Sequence, residues 1–188
     1  IDIAVLRQRA EARGEPLRIL DVACGTGMLL QHLSAHFPHA RLYGIDASSD
    51  MLVQARLLLK DSESVHLSQG VLTTGFAAGL PYEPASFDLI TCTNALHYLS
   101  DPASVLRGLR ELLIPHGQLI VEDYARRTFP FPWPAFEWLI KRIDAQHVRA
   151  FTIEEAQQLC LQAGLQVLLA RSFSIDLLWQ GWVIKTAL

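Results

Sequence analysis

No apolar run in this 188-residue chain approaches the roughly 18 residues that a membrane-crossing helix needs, so no membrane span is expected. Basic residues are not in excess. Sixteen Lys and Arg stand against 19 Asp and Glu, a net charge of −3, and the basic footprint of a nucleic-acid binder is missing. Cysteine is scarce: Cys24, Cys92 and Cys160 are far apart and never form a C-x-x-C pair. That argues against a disulfide framework and a zinc knuckle, and for a reducing compartment, the cytoplasm. Seven histidines are present but no H-E-x-x-H, and His32, His36 and His39 crowd a helix end, so no metal is expected. What remains is a chain that is 51% hydrophobic, enough for one packed domain over 1–188.

The order of elements is readable. A helix over 1–13 and a Gly14-Glu15-Pro16 break precede a strand over 17–23, apolar enough for burial on both faces. Gly25-Thr26-Gly27 turns it into a helix over 28–36, which Pro38 stops. A strand over 41–45 ends at Asp46, and Ser48 or Ser49 can cap a helix over 50–59. A strand over 65–69 is followed by an irregular stretch to Ser86 with three glycines and two prolines. Then come a strand over 87–93, a helix over 101–113 with Pro102 just inside its start, and a strand over 118–123 after the Pro115-His116-Gly117 turn.

From 129 to 136 aromatics alternate with Pro130, Pro132 and Pro134, which predicts an extended segment, and 138–147 reads as helix. Thr152 and Glu155 form a capping box for a helix that Gly164 closes. Two last strands, 165–173 and 177–188, are separated by about three residues, too few for a crossover, so they should pair antiparallel. The expected fold is α/β: a doubly wound, mostly parallel seven-stranded sheet with an antiparallel C-terminal hairpin.

In such a sheet ligands bind beyond the carboxyl ends of the strands. Gly25 and Gly27 can take positive φ and bring backbone N–H groups to a ligand at a helix N-terminus. The dinucleotide pattern needs a small residue three positions after Gly27, where Leu30 stands, which counts against NAD. Asp46, 21 residues beyond Gly25, is suitably spaced to accept hydrogen bonds from two ribose hydroxyls.

The segments ILDVACGTG, YGIDASSDML, LPYEPASFDLITCTNALHYLSDP and LLIPHGQLIVEDY, in this order, resemble the class I S-adenosylmethionine-dependent methyltransferases, small-molecule type, similar to those of ubiquinone and menaquinone biosynthesis. The likeness covers about 17–124, and RAFTIEEAQQLCLQAGL is similar to the family's last helix. It implies a Rossmann-like fold, S-adenosylmethionine as cofactor with S-adenosylhomocysteine as product, and a small-molecule acceptor. It further implies that Asp21 anchors the glycine loop or meets the ligand amino group, and that Ala23, Gly25, Thr26 and Gly27 line the methionyl end. Asp46 would hold the ribose, Ala47 and Met51 would flank the adenine, and Asn94 and Ala95 would close the methionyl side. The family's Gly-Asp-Ala before Leu-Pro-aromatic is here Gly75-Phe76-Ala77, without the Asp. Either Phe76 and Ala77 meet the adenine, the favoured reading, or the strand ends at Gln69-Gly70 and an insertion follows.

For a nucleophile with an acidic proton, His97 is the best candidate base, since imidazole titrates near working pH. Tyr124, Tyr98 and Asp123 come next. Phe129, Phe131, Trp133 and Trp138 could form a lid within a cap over 125–150. Plainer roles compete with each of these. The glycines could serve only a tight turn, Met51 could be helix packing, and His97 could pack at a helix start. Asp123 could cap a strand, Tyr124 could satisfy a buried neighbour, and the proline-aromatic run could be a core plug or partner surface. The competing functions are an NAD(P)-dependent oxidoreductase and a noncatalytic S-adenosylmethionine-binding module.

Overall fold

Runs of apolar residues bounded by turn residues become the centre of one sheet. Strands β1 (Arg18–Val22) and β4 (Phe87–Thr93) are buried along nearly their whole length because helices cover both faces. The computed structural model describes residues 3–125, 133–175 and 180–188. With β2 (Arg41–Asp46), β3 (Val65–Gln69), β5 (Leu113–Tyr124), β6 (Gln166–Ser174) and β7 (Gln180–Ala187), the sheet order is β3-β2-β1-β4-β5-β7-β6. The first five strands run parallel, and β7 pairs antiparallel with both β5 and β6. The chain winds outward from β1 to β3, then returns to β4 on the other side of β1. This reversal opens a crevice at the carboxyl ends of β1 and β4.

Two hydrophobic clusters flank the sheet. One joins α1 (Ile3–Arg13), α2 (Met28–His36) and α3 (Ser49–Leu58) through Leu6, Leu30 and Leu52. The other joins α4 (Pro102–Leu112) and α6 (Ile153–Gln162) through Leu106, Leu109 and Cys160, with fully buried Trp182 donating its indole N–H to Phe151 O at 3.1 Å. Helix starts follow their caps. Ser48 Oγ accepts from Met51 N–H, Asp101 Oδ1 accepts from Ser104 N–H beside Pro102, and Thr152 with Glu155 completes the capping box.

Two expectations need correction. Pro115-His116-Gly117 does not precede β5 but lies inside it as a bulge. The pairing jumps from Phe87 with Leu113 to Leu89 with Gln118, and His116 takes φ +64°. Helix α5 (Trp133–Ile143) begins five residues earlier than the reading of 138–147, and residues 133–136 are helical rather than extended. Pro134 falls in the first turn, where a missing N–H leaves no helical bond unmade. Phe129 and Phe131 lie outside the described residues.

Candidate active site

The turn after β1 is held open by backbone geometry. Ala23, Gly25 and Gly27 have φ of +56°, +53° and +81°, Cys24 N–H donates to Ile45 O at 3.0 Å, and Gly27 N–H donates to Cys24 O at 2.9 Å. Helix α2 starts without a side-chain cap, so its first-turn N–H groups are left for a ligand or solvent. At the end of β2, Asp46 is fixed from two sides: Gly25 N–H donates to Oδ2 at 2.7 Å and Ser48 N–H to Oδ1 at 2.9 Å. Each oxygen keeps acceptor capacity beyond the bond it already receives.

A cavity of about 980 Å³ opens at these strand ends. Asp21 and Asp46 border it, and among the described residues of its wall there is no Lys, Arg or His. Asp21 is buried and accepts from Thr91 Oγ1 at 2.6 Å. Burial pushes its carboxyl up to about 7, the negative Asp46 adds to the rise, and the Thr91 hydroxyl opposes it. A second hollow of about 660 Å³ lies at the opposite ends of the strands, beside α1, where Glu11 and Glu15 share the wall with Arg7 and His39.

Most residues expected at a cofactor meet here. Ala23, Gly25 and Thr26 border the cavity on the β1 side, Ala47 and Met51 on the β2 side, and Asn94 and Ala95 beyond β4. Asn94 takes φ +50°, a conformation uncommon outside glycine. Three residues are placed elsewhere. Gly27 does not border the cavity; a Cβ there would meet Leu59 Cδ1 at 2.8 Å and Ala55 Cβ at 3.2 Å, so its smallness serves the approach of α2 to α3. Phe76 and Ala77 form a buried turn against α4, where Gly108 makes room: a Cβ on Gly108 would stand 3.2 Å from both. The wall on the β3 side is instead Gly70, Val71 and Leu72, in line with a strand ending at Gln69-Gly70. Tyr98, Leu99 and Gln146 also border the cavity, though only Tyr98 was singled out, and then only as a second-choice base.

His97 is buried behind this wall. Its Nδ1 lies 2.7 Å from Asp123 Oδ1, its backbone N–H donates to Asp123 Oδ2 at 3.0 Å, and Tyr124 N–H donates to Oδ1 at 2.8 Å. A nitrogen facing a carboxylate carries the proton, so Nε2 holds the lone pair in the neutral ring. The ring is flanked by Tyr98 and Tyr124, with centroids 3.9 and 4.3 Å away.

Tyr124 does not border the cavity; its hydroxyl meets His147 Nδ1 at 2.9 Å. His147 Nε2 faces Glu137 Oε1 at 3.3 Å, and the same oxygen accepts from Ala150 N–H at 3.1 Å. With Nε2–H turned to Glu137, neutral His147 accepts from the Tyr124 hydroxyl. Burial and the Asp123 charge raise the Tyr124 phenol, so it holds its proton. Val148 and Arg149 N–H both donate to His97 O, at 2.9 and 3.1 Å. His147 and Glu137 were missed because nothing in a sequence of separate elements signals that they meet at Tyr124. Trp138, expected in a lid, is 59% exposed on the outer side of α5.

Residues 20–119 match the family model described as a methyltransferase domain, more than half of the chain. A relative from Bacillus subtilis (strain 168), named an uncharacterized methyltransferase, YcgJ, is 26% identical over 184 residues, 97% of this chain and 70% of that protein. A ubiquinone biosynthesis O-methyltransferase from Aromatoleum aromaticum is 30% identical over 154 residues, 79% of this chain and 64% of that protein. The crystal structure of an S-adenosylmethionine-dependent methyltransferase from Mesorhizobium loti shares the fold, with a TM-score of 0.74 at 20% identity over 92% of this chain and 91% of that one. The glycine turn, the carboxylate after β2 and the sheet order thus agree with the family match, and the chain belongs to the S-adenosylmethionine-dependent methyltransferases.

Proposed function

We propose that the chain binds S-adenosylmethionine in the cavity at the β1–β4 crevice and transfers its methyl group to a small, partly apolar acceptor. The observation that carries this is electrostatic: among the described residues, two carboxylates and no Lys, Arg or His border the cavity. Such a wall attracts a sulfonium and an ammonium group and repels the pyrophosphate of a dinucleotide. Leu30 adds to the case against NAD, since it is fully buried against Gly44 where the dinucleotide pattern wants a small residue.

In this reading Asp46 receives the ribose hydroxyls and Asp21 the ammonium, with Ala23, Gly25 and Thr26 along the methionyl chain. Ala47, Met51 and Val71 offer apolar contacts to the adenine, and Asn94 and Ala95 close the other side. The bound cofactor supplies an electrophilic methyl carbon. The chain's own work is to align a nucleophile with that carbon in a water-poor space, with Leu72, Leu99 and Tyr98 as apolar wall. A role for His97 Nε2 as proton acceptor, with Asp123 as its positioning carboxylate, requires the nucleophile to reach past the Tyr98 side of the wall. The named O-methyltransferase relative favours an oxygen nucleophile.

The chain is read as one domain over 1–188, with 125–150 as a cap, and the three free cysteines favour a reducing, cytoplasmic setting. One observation supports a noncatalytic binding module instead: His97 does not border the cavity. Calorimetric titration of S-adenosylmethionine into wild type and Asp46→Ala tests the binding site. Loss of at least about tenfold in affinity, about 1.4 kcal/mol, is expected, and unchanged affinity in a folded variant removes Asp46 from the site.

A further inference from the structure

Helix α5 leaves much of its apolar surface uncovered. None of its described side chains is fully buried, and three large apolar ones are exposed: Trp138 is 59% exposed, Leu139 49% and Ile143 83%. At 3.6 residues per turn these three fall within about 140° of one side. The half-buried side carries Trp133, Glu137 and Ile140, and Glu137 there accepts from His147 and from the Ala150 N–H.

Charge on the outward side has one sign. Lys141 and Arg142 are exposed in the last turn, and the Arg142 guanidinium lies 4.5 Å over the Trp138 ring. The two carboxylates nearby are engaged elsewhere: Glu137 as above, and Asp144 by the Tyr98 hydroxyl at 2.9 Å and the Gln146 N–H at 3.0 Å. A chain of net charge −3 therefore presents a basic, apolar helix face beside its cavity.

We propose that α5 is an interfacial helix that docks the protein on an anionic lipid bilayer. Trp, Leu and Ile on one side, with Arg142 among them and Lys141 at their edge, is the composition that lies in the headgroup region: the apolar side chains enter the acyl boundary and the cations meet lipid phosphates. No described helix is long and apolar enough to cross a membrane, so the contact is peripheral. A second copy of the chain fits less well, because a two-fold interface would set each helix's cations against their counterparts. Gln146, on the cavity wall, follows Ile143 by three residues, so a docked α5 brings the cavity close to the bilayer and gives an apolar acceptor a route that avoids water. The bilayer contact itself does not depend on methyl transfer; only the acceptor's route does.

Co-sedimentation with vesicles of phosphatidylcholine, with and without an equal share of phosphatidylglycerol, tests this. The wild type should bind the anionic vesicles and release them in high salt. Both Leu139→Ser/Ile143→Ser and Lys141→Glu/Arg142→Glu should lose about tenfold or more of that binding. Calorimetry with S-adenosylhomocysteine reports separately on the cofactor cavity. Absence of wild-type binding to anionic vesicles overturns the proposal, as does equal binding by folded variants. Light scattering covers the remaining partner: self-association abolished by Leu139→Ser/Ile143→Ser would assign the face to a second copy and also overturn it.

Discussion

Asp21 combines two demands that pull against each other. Among the described residues Thr91 alone donates a side-chain bond to it, and burial raises its carboxyl to about 7. A cationic ligand favours its ionised form, so affinity for S-adenosylmethionine should rise as pH climbs from about 5.5 to 7.5, with a proton released on binding at the lower end. Titrations in buffers of different ionisation enthalpy read that proton directly, and Asp21→Asn should abolish both the pH dependence and the release. His97 makes a separate prediction. With any acceptor that is turned over, His97→Ala should lower kcat far more than it changes cofactor affinity, and Asp123→Asn should fall between the two, because it leaves the ring in place but permits the wrong tautomer. Wild-type kcat for His97→Ala at every pH would leave alignment as the chief catalytic contribution.

At the level of elements, Leu30 on α2 and Gly44 on β2 are matched in size. A Cβ on Gly44 would stand 2.7 Å from Leu30 Cδ1, 2.7 Å from Leu67 Cδ2 and 2.9 Å from Cys24 Sγ. Gly44→Ala should destabilise the fold by about 1–3 kcal/mol in denaturant unfolding, and Leu30→Val in the same chain should restore part of it. A neutral Gly44→Ala would mean that the helix–strand spacing is looser than this. The strands and capped helices were legible because each rests on local chemistry: apolar runs, Ser48, Asp101, Thr152 and Gly164 act on neighbours in sequence. The wall on the β3 side was not, since 70–86 has no period, and a Gly-Phe-Ala resembling the family triplet drew attention from Gly70-Val71-Leu72. Pro134 argues against helix by composition alone, but its place in a first turn allows one. Asp123 was weighed as a base in its own right or a strand cap, and its bond to His97, 26 residues away, depends on β4 and β5 lying side by side.

For the whole molecule, one sheet carries both the cavity and its charge. Asp21 has a folded value of about 7 against an ordinary 3.8, so between them the folded chain holds a proton that the unfolded chain has released. Its contribution to stability therefore falls as pH rises from about 4 to 7 and levels off above. Denaturant unfolding across that range should show a less negative slope for Asp21→Asn than for wild type; equal slopes would mean that Asp21 ionises normally. The same buried carboxylate, with Asp46 across the cavity and no cation among the described wall residues, is the proposed reason for preferring a sulfonium ligand to a pyrophosphate. Parallel calorimetric titration at pH 7.5 with S-adenosylmethionine, S-adenosylhomocysteine and NADH tests that preference most directly. The first two should bind at about micromolar affinity, about −8 kcal/mol, and NADH should show no binding; NADH binding in the absence of the other two would contradict it.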